Sequence, residues 1–546
     1  MAEAPDENHN SARDAFEGLF HLHLSGTHAS PEQRRALAYE LCRNPETRRA
    51  GVLALRALLH GGHFSSTTNF DFGARSRDFG WSPETYGDQW NWYADAVRLA
   101  HELCSDDLIR AEIGPVVADA SSNLLTNEPS REQYDTFIDM MLDHGPWIDG
   151  WRNIRHMQRY WVEGWPPELR EYVTELELRL RPTDRASEIQ AWVLSGHRAA
   201  DLVDTTDDSE SPTDRYQRAQ DKARELGVAS ADDGEALYPL LPDLLSIEQG
   251  YEVALFGRGL AQASSSREQL WQTMVSEFEQ IDRTKRNATL LGGFIAEAKD
   301  HDRALVERIL DQSLVNELLQ PHLFFFQMQA GFDEAGLGRI WTAIEQKVLE
   351  SWRFGSLASG AVREFPEAEL PKLLKLIASL EDGEVVAIQI FHMAVYCAKT
   401  DGETVSNELI QAGRDILSAC DLSDRNAMND HAAQEAIGYC YAEGQADDQL
   451  HALAEHIKAQ FASEPYRAWQ YQSAMTAIFK ANPAIALDVF VVAGEADRKQ
   501  IYGFDTSVRG SPIEVVPSDK LWNWADNDAE TRYPLLGCIL QPFPEK

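Results

Sequence analysis

Short helix units run the length of the chain. Roughly every 15 to 20 residues, a cap residue, an acidic or proline-bearing first turn and apolar positions spaced by three and four recur. Ser30-Pro31-Glu32-Gln33 has capping-box spacing: Ser30 as cap, Pro31 where no amide donor is needed, and Gln33 three residues on. Leu37, Tyr39 and Leu41 follow. Asn44-Pro45 opens the next unit, with Asn44 expected to cap it and Val52, Leu55, Leu58 and Leu59 expected on one buried face. Near the far end, Asp528-Ala-Glu-Thr-Arg532 echoes the Glu-Thr-Arg of 46–48. Amphipathic helices this short bury their apolar stripe only on one another. The predicted class is all-α, an α-solenoid of antiparallel helix pairs with degenerate HEAT- or armadillo-like repeats of about 35 to 40 residues, in one or two arrays.

Residues 1–10 read as a disordered lead, and 11–200 as a first helical array. Helices are predicted in it at 88–104, 107–120, 131–143, 149–163, 167–181 and 184–195. Residues 60–87 interrupt it with a non-periodic insert rich in Gly, Ser, Thr and aromatics. The run Asp201 to Asp214 is acidic, Ser/Thr-rich and free of aromatics, so 201–235 is expected to link the first array to a second over 236–546. One helix, at about 214–226, falls inside that link.

Of the 546 residues 43% are hydrophobic, enough for a large core, and the formal net charge is -38. A surface that acidic repels phosphate, so direct binding to nucleic-acid backbones is not expected. Lysine is absent before Lys222, and arginine carries the positive charge there. That usage fits a composition bias and marks no site. The six cysteines are scattered, without a Cys-x-x-Cys pair, as in a reduced, cytosolic protein. The acidic N-terminus does not read as a signal peptide, and the apolar stretch Val385–Cys397 falls short of the roughly 20 residues a membrane span needs.

The densest group of chemistry-bearing residues lies in the insert: His60, His63, Asp71, Arg75, Arg77, Asp78 and Trp81. Two readings stand. Arg75 and Arg77 could grip an anion between aromatic walls, or the loop could plug the array, with its arginines satisfying carbonyls. His60, His63 and Asp71 do not by themselves make a metal site, and no metal or other cofactor is expected. The second candidate is the Trp- and Arg-rich stretch 147–165, with Trp151, Arg155 and Trp161, which has the composition of an interface hot spot and equally that of two packed helices. His21, His23 and His28 read as helix-surface residues. A Gly-Lys phosphate loop, a Gly-x-Ser-x-Gly elbow and a His-Glu-x-x-His pair are all absent. Gly257-Arg-Gly259 lacks the third glycine of a dinucleotide fingerprint.

The segments Leu24–Ser30, His63–Trp81, Val386-Ala-Ile-Gln-Ile-Phe-His-Met393 and Trp522–Pro534 resemble the C-terminal helical-repeat half of large bacterial STAND-type, NACHT-like ATPases. The resemblance implies a trigger-sensing array of the kind used in antiphage defence. The chain lacks that family's NTPase and effector segments, which leaves a stand-alone sensor, a split gene or a fragment. The expected function is a non-enzymatic binding module with a protein partner, such as a separate NTPase or effector chain. The alternatives are a small-molecule or metal-dependent enzyme built on 60–81, and an inert scaffold joining two proteins. The sequence is silent on oligomeric state.

Overall fold

The computed structural model describes residues 12–23, 25, 27–61, 81–204, 211–248, 250–423, 427–441, 446–461, 465–491 and 511–540. Among the described residues every element is an α or 3-10 helix, and there is no strand. The protein is all-α and solenoid-like, with helices packed against near neighbours in sequence. None of the helices searched is long and apolar enough to cross a membrane. The chain forms two compact units, residues 1–298 and 299–546.

In the first unit Pro31–Arg43 packs on Arg48–Leu59, and both pack on Tyr86–Leu103. Tyr86–Leu103 lies against Glu128–Asp143, and Asp107–Asp119 against Ile148–Tyr160. The expected capping box at Ser30 is present, with the Ser30 side chain accepting from the Gln33 amide and Gln33 accepting from the Ser30 amide. The next helix differs from expectation. Its cap position is Thr47; Asn44 ends the preceding helix, and its side chain accepts from the Glu46 amide at 3.0 Å within the turn. Thr47 donates its hydroxyl to Leu41 O at 3.0 Å, so its side chain ties two helices together instead of capping one.

Four turns share one device. The last carbonyls of a helix have no partner within it. Here an arginine six residues further on reaches back to them: Arg48 Nε to Cys42 O at 3.3 Å, Arg110 Nη1 to Cys104 O at 3.0 Å, Arg131 Nε to Leu125 O at 3.2 Å and Arg267 Nε to Ala261 O at 2.6 Å. The Glu-Thr-Arg echo acquires a physical meaning from this. Arg48 closes the turn after Pro31–Arg43, and Arg532 Nη1 donates to Trp524 O at 2.8 Å across the turn after Ser518–Asp526.

Residues 211–235, expected to belong to a linker, contain the 19-residue helix Pro212–Ser230. Its buried residues include the small and apolar Ala219, Ala223, Leu226 and Gly227, and the helix packs on Tyr251–Ala263. A Cβ at Gly227 would stand 2.2 Å from Phe256 O, and one at Gly259 would stand 2.2 Å from Arg224 O. On its other side Tyr251–Ala263 meets Thr289–His301 in the same way: a Cβ at Gly293 would fall 2.0 Å from Ala254 O. Backbone packs on backbone at both crossings. The glycines of Gly257-Arg-Gly259 serve this packing, Gly257 lying against the Leu290 carbonyl.

In the second unit Leu370–Ala378 packs on Gly383–Asp401 and Asn407–Leu417, and Ala427–Cys440 packs on Gln472–Ala481. Leu323, Phe324 and Phe326 are core, with the Phe324 and Phe354 rings 4.5 Å apart.

A methyl group at either crossing glycine meets a carbonyl oxygen that cannot rotate away. Gly227→Ala and Gly259→Ala should each destabilise the protein by about 1–3 kcal/mol. Gly338→Ala, where a Cβ meets nothing within 4 Å, should leave stability unchanged or raise it. Urea denaturation midpoints of the three variants check this.

Candidate functional site

The root of the 60–81 insert is built around Trp92. Three successive carbonyls at the end of Arg48–Leu59 are satisfied by side chains from elsewhere. Trp92 Nε1 donates to Leu58 O at 2.8 Å, Asn123 Nδ2 to Leu59 O at 3.4 Å and the Tyr93 hydroxyl to His60 O at 3.2 Å. Trp81, where the described chain resumes, stacks on Trp92 at 5.6 Å and 12°. On Trp92 also lies the guanidinium of Arg34, which is buried and donates to the carbonyls of Ala29, His21 and Thr27. The two ends of the insert are therefore held at one place, His60 exposed and Trp81 half-buried. His63, Asp71, Arg75, Arg77 and Asp78 lie outside the described residues.

His21 is not a helix-surface residue. It follows Ala12–Gly18, half-buried, with its ring 5.4 Å from that of His60. Burial first, and the neighbouring His60 second, push its imidazole down to about 4. Among the described residues no group of three or more His, Cys, Asp or Glu side chains is arranged to hold a metal ion.

The second candidate centres on Ile148–Tyr160, whose inner face buries Ile148, Gly150, Trp151, Ile154 and Met157. Trp151 is a core residue. Its Nε1 donates to Glu177 Oε1 at 2.8 Å, and Arg181 grips the same buried carboxylate at 2.9 and 2.8 Å. Arg152 and Arg155 of this helix are structural anchors. Arg152 donates to the carbonyls of Gln190 and Ala191, at the end of Arg185–Trp192. Arg155 reaches Leu202 O at 2.9 Å and pairs with Asp204 at 2.8 Å. His156 and the Tyr160 hydroxyl both hold Asp201, at 3.0 and 2.9 Å. Two side chains at the end of the helix face solvent: Tyr160 is 56% exposed and Trp161 51%. Of the candidates Trp151, Arg155 and Trp161, only Trp161 offers a free side-chain surface.

Sequence reasoning missed two further exposed aromatic pairs. Tyr86 and Trp90 stack at 6.3 Å on the first turns of Tyr86–Leu103, just after the insert. In the second unit Trp522 and Tyr533 stack at 6.0 Å. The signal for the first pair was present, because aromatics four apart after the Thr85–Asp88 capping box must share a face outside the buried stripe.

Compared with family profiles, curated proteins and solved structures, the chain gives no match.

Trp151→Ala should cost about 3–5 kcal/mol, because it opens a core cavity and strands Glu177. Trp161→Ala should change stability by less than about 0.5 kcal/mol. Thermal unfolding of both variants separates core from surface. The depressed His21 imidazole makes a second expectation. Between pH 6.5 and about 4 the unfolded chain takes up a proton that the folded site refuses, so this residue lowers stability progressively as pH falls through that window. His21→Gln should flatten that part of the stability–pH profile, measured by urea midpoints at constant ionic strength.

Proposed function

We propose that the chain is a protein-binding helical array whose contact surface includes Tyr160 and Trp161. The observation that carries this reading is the state of those two side chains. They are large, amphipathic and exposed, and they sit at the end of a helix that Arg152, Arg155 and His156 clamp to its neighbours. Anchors that are rigid before binding lose little entropy when a partner covers them, which is what interface hot spots require. With a net charge of -38 the chain favours a partner with a basic face and disfavours nucleic acid. The resemblance to the sensing half of STAND-type ATPases supports a separate NTPase or effector chain as that partner.

The test is cross-linking of the tagged chain in its native host followed by mass spectrometry, and then affinity measurement with the partner so identified. The double variant Tyr160→Ser/Trp161→Ser should weaken that complex at least fivefold, about 1 kcal/mol. Tyr251→Ser, which removes an equally exposed aromatic at 63% exposure, should not. Equal effects of the two variants would refute the assignment of the surface.

A further inference from the structure

In the second unit Gly383–Asp401 packs on Ala427–Cys440, and two histidines meet across that contact. His392 lies on the first helix and His431 on the second, with ring centres 5.3 Å apart and planes at 82°. Both helices are held firmly here. Phe391 and Val395 are core residues on one, and Ala432, Ala436 and Ile437 on the other. Gly413 of Asn407–Leu417 lies so close that a Cβ there would stand 2.7 Å from the Phe391 ring and 2.9 Å from the Cys440 sulfur. The histidines stand at the rim of this packing, His392 half-buried and His431 exposed. Among the described residues neither imidazole has a hydrogen-bond partner, and neither nitrogen of His392 is sealed from solvent. A similar pair in the first unit, His21 and His60 at 5.4 Å, differs in this respect, because Nδ1 of His21 is sealed.

The spacing has a chemical use. With metal–nitrogen bonds of about 2.1 Å at adjacent coordination positions, two imidazoles on one ion have ring centres about 5 Å apart. His392 and His431 stand at that spacing already. A ligand imidazole must be neutral. Burial first and His431 second hold the His392 imidazole below its ordinary range, while Glu435 acts the other way. Glu435 follows His431 by four residues on the same helix, so its carboxylate offsets the charge of a cation at the pair without serving as a ligand. The Lys399 ammonium is committed to the Tyr439 ring, at 3.7 Å. Among the described residues no third His, Cys, Asp or Glu completes a set, so the remaining coordination positions fall to water. Imidazole donors select late first-row ions over magnesium and calcium, which require oxygen.

We propose that His392 and His431 chelate a divalent transition ion of the zinc or nickel class, which clasps Gly383–Asp401 to Ala427–Cys440 and carries water on its open positions. The site shares no residue with the Tyr160–Trp161 surface, so its failure would leave the protein-binding reading untouched.

The experiment is titration calorimetry of the full chain, stripped with EDTA, with nickel chloride, and with magnesium chloride as the hard-cation control. The chain should take up nickel saturably, and magnesium should not compete. His392→Gln and His431→Gln should each weaken that site at least tenfold while keeping the circular dichroism of the parent. A chelate needs both rings, so the double variant should lose no more than either single one. Each titration is repeated in a His21→Gln background, which removes the pair in the first unit and should leave this site intact. Where His392→Gln does not fold, His431→Gln decides, because that side chain is exposed. Absence of saturable nickel uptake, competition by magnesium, undiminished binding to His431→Gln, or additive losses in the double variant would overturn the proposal.

Discussion

The array depends on how its turns dispose of helix-end carbonyls. Each short helix leaves its last carbonyls without a donor, and a chain with this many helices meets that cost many times. Arginine resolves it repeatedly. Its rigid, multi-donor fork spans a turn and satisfies carbonyls on the helix just left, as Arg48, Arg110, Arg131 and Arg267 do six residues back. The guanidinium then belongs to two helices at once, which couples their positions. Lysine, a point charge on a flexible stem, meets the same carbonyls with less directional control. The arginine-only first 221 residues contain three of these clasps, so part of a usage that reads as compositional bias has a structural job.

Glycine supplies the second constraint. Where Pro212–Ser230, Tyr251–Ala263 and Thr289–His301 cross, side chains are dispensed with and backbones touch. Such contacts replace volume with proximity, and they leave no room for substitution. The start of the acidic segment is itself packed, with Leu202 and Val203 buried, and the helix Pro212–Ser230 is integrated through its small residues.

These devices bear on function through rigidity. Arg152 and Arg155 of Ile148–Tyr160, which by composition look ready for a ligand, bond the backbone of the next elements. Those bonds hold Tyr160 and Trp161 still at the surface.

The sequence by itself determined the helical class, and it located Tyr86–Leu103, Asp107–Asp119 and Pro167–Leu180 to within a few residues, since caps and 3.6-residue periodicity act over one or two turns. The Ser30 box was legible for the same reason. Asn44 accepts from the Glu46 amide as expected, but the helix starts three residues later, at the Thr47 cap position, whose hydroxyl goes to Leu41 of the preceding helix, and only the packed turn shows this. Which tryptophan of Trp151 and Trp161 is core, that His21 faces His60, and that Gly257 and Gly259 are crossing points were decided by tertiary structure alone. Each depends on what a neighbouring helix presents at that spot, a carboxylate, an imidazole or a bare carbonyl, and no local pattern of residues encodes the neighbour.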